Sequence, residues 1–472
     1  MLSTRKREQL TAFLGSLTTA TALKVFAALE ADRVSGGKGL PHDELIDDLR
    51  DRLLKRGAVL PLRRPDSKRL FFTPIEDFLI GAHPARKRKA QIARTSLNPI
   101  WRLLMTDKAS SDAALAAAGL DDAIIAGDTS PALERALFIA AEAGLGRLCA
   151  RIEGDAPARE RLIEDLGGED AVDDLMEIRQ LLAGVESLNA LQQLIPSATP
   201  ALTEEQYYEL RSLFLSAHDQ SPSAGAYVLL ALKGRLEKPW RALGVYYHLA
   251  RGADDRLRAA KEEVLVLPES LISDLEAMAR GLEVDCGQQL DADAAMLRVS
   301  YFADFADGMA RQAAKVGDNV YLNRVEACRD VAGEAHDRFA EQALASLRVV
   351  LPVRHAGGSS KLMSLRPDIT QSVAALRIED AADAALLIAK APDIAGRLGA
   401  DQYFTCSIAN EAGEQVHTFA RDLVMEIRAA EGDARKAARR MLDNTLMIAA
   451  PLLDSDEISL IRDRATTASM SV

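Results

Sequence analysis

A succession of amphipathic segments separated by short breaks is the feature that most restricts what this chain can fold into. Between residues 131 and 350 the breaks are EGDAPA, LGGED, IPSATP, DQSPSAG, VLPES and KVGDN, all within the usual length of helix–helix connections. Aromatic residues make up only 5% of the chain, whereas alanine is abundant. Because sheets are enriched in aromatic and β-branched residues, this composition favours closely packed helices. The sequence therefore predicts a mostly α fold.

Several helix ends carry their own signals. Ser130 and Pro131 suit an N-cap and a first helical residue, and Thr203 followed by Gln206 matches a capping box. The longest helix is predicted from Asn319 to about Leu347. Its apolar residues recur at helical spacing and predict a buried stripe of Val325, Cys328, Ala332, Ala335, Phe339 and Ala343.

The stretch RRPDSKRLFFTP, residues 63–74, interrupts this helical pattern. Two short apolar runs, Val59–Leu62 and Leu70–Thr73, flank a Pro-Asp-Ser turn, which predicts a β-hairpin. A helix is predicted just before it, over residues 41–56, with a buried stripe and with Gly57 as its stop. Four basic residues rim the turn, namely Arg63, Arg64, Lys68 and Arg69.

The order helix, glycine, strand, basic turn, strand resembles the last helix and wing of winged-helix domains. The resemblance covers about the first 80 residues. It implies that helix 41–56 lies in the DNA major groove and that the four basic residues of the wing contact phosphates. However, this helix begins HDELIDDLRD, and five carboxylates in nine residues repel a polyanion. This leaves backbone contact through the wing alone, or use of the module to bind protein.

Charge is unevenly distributed along the chain. Residues 1–110 hold 21 Lys and Arg against 12 Asp and Glu, whereas the remainder holds 37 against 58. A basic run follows the predicted hairpin and can extend a phosphate-binding surface, with Trp101 available for stacking on bases. That run consists of Arg86, Lys87, Arg88 and Lys89. Nucleic acid is thus a possible partner of residues 55–102, and the alternative is that the basic module docks on the acidic body of the same chain.

Composition changes divide the chain into four predicted parts. Residues 1–82 form the winged-helix-like module, and residues 83–130 form a basic connector and linker with one weak helix. Residues 131–350 form a helical domain. A C-terminal helical domain, 351–472, follows. It begins with the longest stretch without a helical pattern, residues 351–368, which marks the boundary.

The sequence contains few signs of catalysis or metal binding. The four cysteines are widely spaced, which argues against a zinc or redox motif and fits a reducing, cytoplasmic compartment. Glu414 and His417 have the spacing found in di-iron bundles, but a second such motif is absent. Nucleophile and phosphate-binding signatures are also absent, so neither a cofactor nor a catalytic residue is predicted. Apolar runs are too short to span a membrane.

These observations favour a non-enzymatic cytoplasmic regulator. Its basic N-terminal module contacts the nucleic-acid backbone, and its acidic helical body serves regulation or oligomerisation. The alternative is a helical adaptor or scaffold that uses the winged-helix-like module to bind a protein partner or a second copy. An enzyme with a helical pocket is the third hypothesis.

Overall fold

The computed structural model describes residues 14, 17–34, 42–55, 66–81, 83, 87–127, 130–250, 255–285, 292–355 and 365–470. Most of these residues are helical, which confirms the predicted mostly α class. The chain divides into two compact units. Unit 1 comprises residues 1–197 and 203–235, and unit 2 comprises residues 198–202 and 236–472.

Unit 1 contains eleven described helices, two very short strands and two 3-10 turns. The helices are α1 (Thr19–Val34), α2 (His42–Lys55), α3 (Ser67–Phe72), α4 (Arg94–Thr106), α5 (Ser111–Ala126), α6 (Pro131–Ile152), α7 (Ala156–Leu166), α8 (Glu169–Ala183), α9 (Val185–Leu194), α10 (Glu204–Gln220) and α11 (Pro222–Arg235). The 3-10 turns are Thr73–Phe78 and Lys108–Ser110, and β1 (Leu79–Ile80) pairs in parallel with β2 (Ile92–Ala93).

Helices α1 and α2 pack against each other around Phe26. The predicted helix over 41–56 is confirmed as α2, and its predicted stripe of Ile46, Leu49 and Leu53 is buried in this small core. Polar contacts add to the pairing, since His42 Nε2 lies 2.7 Å from an Asp32 carboxylate oxygen. This helix also carries the five carboxylates that argue against DNA binding. The structure does not describe their side chains, which are those of Asp43, Glu44, Asp47, Asp48 and Asp51.

The prediction of a strand at Leu70–Thr73 is wrong. Residues 67–72 form α3, and the 3-10 turn Thr73–Phe78 follows directly. Asp66, expected in a turn, is the N-cap of α3 and accepts a 2.7 Å hydrogen bond from the Arg69 N–H. The first predicted strand, Val59–Leu62, lies outside the described residues, and the winged-helix module is not confirmed.

The physical reason for this helix is the spacing of its apolar residues. Phe71, Ile75 and Phe78 lie at i, i+4 and i+7, and all three are buried. The Phe71 ring packs 5.4 Å from the Trp101 ring and 6.1 Å from the Phe138 ring, measured between centroids. Burial on one helical face therefore outweighs the β propensity of the Phe-Phe pair.

A buried ion pair holds the 3-10 turn against α11. Both carboxylate oxygens of Asp77 lie 3.1 Å from Arg235 Nη1, and Gln192 Nε2 donates to the same carboxylate at 3.1 Å. Burial raises the pKa of Asp77 despite the nearby guanidinium. The segment after residue 66 is thus part of the unit 1 core.

The Ala- and Asp-rich stretch at residues 105–130 is more ordered than its predicted linker character. It contains α5, whose Ala113, Ala117 and Leu120 are buried, and α5 packs against α6. Helix α5 ends at Gly127, where φ is +81°, a backbone conformation that favours glycine.

Unit 2 contains nine described helices, a 3-10 turn at Pro239–Arg241 and one small hairpin. The helices are α12 (Ala242–Ala250), α13 (Asp255–Ala259), α14 (Lys261–Asp285), α15 (Ala292–Ala314), α16 (Asn319–Val350), α17 (Ala375–Leu398), α18 (Gln402–Ala429), α19 (Gly432–Ala449) and α20 (Ser455–Met470). Strands β3 (Val353–His355) and β4 (Leu365–Pro367) pair antiparallel, with Arg354 opposite Arg366.

The long helix predicted from Asn319 is confirmed as α16. All six residues of its predicted stripe are buried, and Asp318 caps it by accepting from the Val320 and Tyr321 N–H groups. The C-terminal half of α16 packs with α17, α18, α19 and α20 around one apolar core. The capping box at Thr203 and Gln206 is also confirmed.

One predicted break in the helical series is wrong. The motif VLPES lies inside α14, which continues through Pro268. Proline removes a backbone donor and disfavours a helix interior. Here Val264, Leu267, Leu271 and Leu275 are all buried at helical spacing around it, so packing overrides the local signal.

In unit 2, the close approach of Trp240 to helix α15 requires a glycine at position 308. Gly308 on α15 faces Trp240, and a Cβ on this glycine would lie 2.1 Å from the indole ring. Trp240 in turn packs edge-on against Phe305, with ring centroids 5.5 Å apart. Any larger residue at position 308 therefore displaces the tryptophan.

Candidate functional site

The residues predicted to bind nucleic acid do not form one described surface. Arg63, Arg64 and Arg86 lie outside the described residues. Lys68 lies on α3 with its Nζ 2.5 Å from Asn98 Oδ1, and Arg69 on the same helix is exposed. The remaining three, Lys87, Arg88 and Lys89, precede β2.

Lys87 is engaged by carboxylates of α8. Its ammonium pairs with Asp174 and lies 3.4 Å from a Glu177 oxygen. The Asp174 side chain is fully buried, and it also accepts a 3.1 Å hydrogen bond from the Ala93 N–H. His83 Nε2 lies 3.8 Å from the same carboxylate. The charge of Lys87 is therefore neutralised within unit 1.

Glu177 continues this set of contacts towards α11. It accepts from the Ala90 N–H and lies 3.3 Å from the Tyr227 hydroxyl. Burial raises the pKa of Glu177, and burial together with the Glu177 charge raises that of Tyr227. The Tyr227 hydroxyl therefore stays protonated and donates. We call Lys87, Asp174, Glu177 and Tyr227 the buried network.

Lys89 lies over the aromatic ring of Tyr227. Its Nζ is 4.6 Å from the ring centroid, which is a cation–π distance. Ala90 next to it has a left-handed φ of +64°, and the Glu177 carboxylate accepts from its N–H. Lys87 thus contacts carboxylates of its own chain, and Lys89 contacts the Tyr227 ring. Trp101, a candidate for base stacking, packs against Phe71 and Phe72 instead.

A tyrosine cluster in unit 2 has no counterpart in the sequence predictions. The Tyr247 hydroxyl lies 3.1 Å from Asp318, and the Tyr321 hydroxyl lies 3.1 Å from Glu269. Burial raises the pKa of both tyrosines, so they act as hydrogen-bond donors to these carboxylates. The adjoining cavity beside Tyr246 has a volume of about 140 Å³, which is small for an organic ligand.

A larger concavity in unit 2 is the candidate functional site. It is formed by the C-terminal end of α16, the β3–β4 hairpin and the middle of α18, and its volume is about 600 Å³. We call it the hairpin groove. Its lining consists of Arg348, Leu351, Val353, Leu365, Arg366, Pro367, Glu411, Glu414, Gln415, Thr418, Phe419 and Asp422.

The hairpin supplies accessible apolar side chains to the groove, next to Arg366. Val353 is 48% exposed and Leu365 is 54% exposed, whereas Leu351 and Phe419 are buried and supply the deeper contacts. Large apolar side chains grouped at a concave surface are typical of binding sites.

The charges of the groove fall into two groups. Arg348 pairs with Glu411 at 2.5 Å, and Arg366 lies 3.8 Å from the buried carboxylate of Glu426. Glu414 and Asp422, by contrast, have neither a hydrogen bond nor an ion pair from the side chains that the structure describes. The α18 wall therefore presents two carboxylates that have no partner among the described residues.

The groove suits binding better than catalysis. Its described lining includes one hydroxyl, that of Thr418, and neither histidine nor cysteine. Glu414 belongs to the ExxH pair noted in the sequence, but His417 is half-buried and does not line the groove. Within the described ranges no three His, Cys, Asp or Glu side chains are grouped to hold a metal ion.

Sequence reasoning missed this groove as a binding site. Its two halves lie about fifty residues apart in the chain, and 351–368 reads as a loop. A usable signal was present on α18, where Glu411, Glu414, Thr418 and Asp422 recur on one helical face as polar residues.

None of the helices in the described part of the chain combines the length and apolar character required to cross a membrane. Comparison with protein-family models, with curated proteins and with solved structures found no match.

Proposed function

We propose that this chain is a non-enzymatic cytoplasmic adaptor that binds a short segment of a protein partner in the hairpin groove. The observation that carries this proposal is the combination of accessible apolar side chains with two carboxylates that lack a described partner, around about 600 Å³ of open space. Peptide segments are recognised through such pairings of apolar pockets with fixed charges. The buried thiols Cys149 and Cys328 fit a reducing compartment.

The internal contacts of the basic segment support an adaptor over a nucleic-acid-binding regulator. Lys87 is surrounded by two carboxylates, and extracting it to contact a phosphate would leave Asp174 buried and unpaired. The two groove carboxylates without a described partner, Glu414 and Asp422, would repel a phosphate backbone.

Selection from a random peptide display library on the full chain tests the adaptor proposal. We expect a consensus sequence to be enriched, and we expect Thr418→Trp to abolish enrichment, because the indole fills the middle of the groove. Thr466→Trp is the matched control, since Thr466 is exposed on α20 and does not line the groove. Absence of a consensus, or an unchanged consensus on the Thr418 variant, contradicts the proposal.

Nucleic-acid binding through residues 55–102 is a separate prediction with its own test. A gel shift of the full chain on duplex DNA and on RNA is compared with a variant in which Arg63, Arg64, Lys68 and Arg69 are all alanine. If the chain binds nucleic acid with an affinity that falls steeply with salt, and if this variant does not bind, the regulator hypothesis is correct and the adaptor proposal is wrong. We expect no shift that depends on these four residues.

A further inference from the structure

The charge balance of the hairpin groove indicates what kind of segment it binds. The cations that line the groove, Arg348 and Arg366, already face Glu411 and Glu426. Arg354 on β3 also pairs with Glu426, at 3.2 Å. These pairs leave two groove carboxylates without a described partner. A ligand that brings positive charge to them gains attraction at both positions.

The spacing of the two carboxylates restricts the ligand further. Glu414, Thr418 and Asp422 are four residues apart on α18, so they lie on one face. Eight residues of helix separate Glu414 from Asp422 by about 12 Å. In an extended peptide, side chains four residues apart lie on the same face and are separated by about 13 Å. Two basic residues at positions i and i+4 therefore match the two carboxylates.

The residue between the two basic positions faces the apolar part of the groove. In an extended chain the side chain at i+2 points to the same side as those at i and i+4. Among the apolar residues that line the groove, Val353 and Leu365 are exposed, and the buried Leu351 and Phe419 supply the deeper contacts. An aliphatic side chain at i+2 buries apolar surface there.

We propose that the hairpin groove recognises an extended segment of a partner protein with the pattern basic–x–aliphatic–x–basic. This inference rests on the proposed adaptor function and names the chemistry of its partner. Glu414 and Asp422 bind the two cations, and the apolar lining of the groove binds the aliphatic residue. Part of the lining, from Glu411 to Asp422, spans about 16 Å of helix, which corresponds to about five extended residues.

Fluorescence anisotropy with the full chain and four labelled peptides tests this pattern. The peptides carry the cores Lys-Ala-Leu-Ala-Lys, Glu-Ala-Leu-Ala-Glu, Lys-Ala-Ser-Ala-Lys and Lys-Lys-Ala-Leu-Ala. The last has the composition of the first with different spacing. We expect the first to bind most tightly and the acidic peptide to bind least.

Neutralising the two carboxylates separates the charge inference from simple apolar binding. Glu414→Gln with Asp422→Asn is expected to weaken binding of Lys-Ala-Leu-Ala-Lys roughly two- to thirty-fold, through loss of two partly exposed ion pairs. Glu379→Gln with Asp443→Asn is the matched control, because both residues are exposed in unit 2 and lie outside the groove. Less than a twofold change is expected for this pair. Reversal to Glu414→Lys with Asp422→Lys should transfer the preference to the acidic peptide.

The outcomes distinguish failure of the inference from failure of the proposed function. If the acidic or the respaced peptide binds equally well and only Thr418→Trp abolishes binding, the charge pattern is wrong while the adaptor function stands. If neither the designed peptides nor the display library yields binding sensitive to Thr418→Trp, both are wrong. Thermal melts of each variant establish that it is folded. All three groove positions are exposed or half-buried, so their substitution leaves the core intact.

Discussion

Carboxylates are used in opposite ways in the two units of this protein. In unit 1, Asp174 and Glu177 are buried and share Lys87, two backbone N–H groups and the Tyr227 hydroxyl. In unit 2, Glu414 and Asp422 lie at the surface of a groove without a described partner. Buried charges persist only where partners compensate their desolvation, whereas surface charges need none. The first pair therefore stabilises a structure, and the second is available to a ligand.

The largest expected effect of this difference is on the stability of unit 1. Lys87→Met leaves two buried carboxylates without their cation, which is expected to cost about 3–5 kcal/mol in the free energy of unfolding. Urea unfolding measures the loss. The chain has two tryptophans, so a Trp240→Phe background makes Trp101 the single reporter and places it in unit 1.

Lys89→Met is the matched control for this prediction. It removes a lysine two residues away that is exposed and contacts only the Tyr227 ring among the partners that can be named. A loss of about 1 kcal/mol or less is expected, the contribution of a cation–π contact. Equal losses for Lys87→Met and Lys89→Met would show that the buried network is not what holds this segment.

The effect of Lys87→Met should also depend on pH. Burial raises the pKa of Glu177 above its unfolded value, and loss of the Lys87 cation raises it further. The folded state then binds more protons than the unfolded state, so its stability falls as pH rises from the unfolded pKa through the folded pKa. We expect the loss at pH 7.5 to exceed that at about pH 5 by on the order of 1 kcal/mol.

A double variant identifies the titrating group. Lys87→Met with Glu177→Gln keeps Asp174 but lacks the Glu177 carboxylate, so the pH dependence of its stability relative to Glu177→Gln alone should be smaller than that of Lys87→Met relative to wild type. A loss that persists unchanged with pH in the Lys87→Met single variant would assign the effect to packing of the lysine stem.

These two regions also show how far the sequence predicts the molecule. Helix existence follows from apolar spacing, and the long helix from Asn319, its stripe and the Thr203 capping box are all present. The strand at Leu70–Thr73 was mispredicted because Phe-Phe has β propensity, although Phe71, Ile75 and Phe78 already follow the helical period. The break at Pro268 was mispredicted because burial on both sides outweighs one lost hydrogen bond.

The buried network and the hairpin groove are harder to predict from the sequence than the helices are. Asp174 lies 87 residues from Lys87, and a single sequence without further information contains no signal that pairs them. Asp174 lies at helical spacing from the buried Ile178 and Leu181, so its burial follows the helical period although an aspartate favours solvent. Basic residues that are close in the sequence predict one surface, whereas in the folded chain Lys87 and Lys89 make contacts within unit 1.

Salt should affect the two regions differently. Partly exposed ion pairs are screened, so the affinity of Lys-Ala-Leu-Ala-Lys for the hairpin groove is expected to fall severalfold between about 0.05 and 0.5 M NaCl. The unfolding free-energy difference between wild type and Lys87→Met should change little, because buried pairs are screened much less. Salt-independent peptide affinity would argue that Glu414 and Asp422 do not bind the ligand's cations.

The smallest expected effect is on the stability of unit 2 when its groove carboxylates are removed. Glu414→Gln with Asp422→Asn breaks no described ion pair, so the free energy of unfolding should change by less than about 0.5 kcal/mol. Urea unfolding with Trp240 as reporter, in a Trp101→Phe background, measures it in the right unit. A loss approaching that of Lys87→Met would mean that both carboxylates stabilise the fold as Asp174 does. In that case weaker peptide binding in the same variant could no longer be assigned to contact with the ligand, because groove charge and groove structure would have changed together.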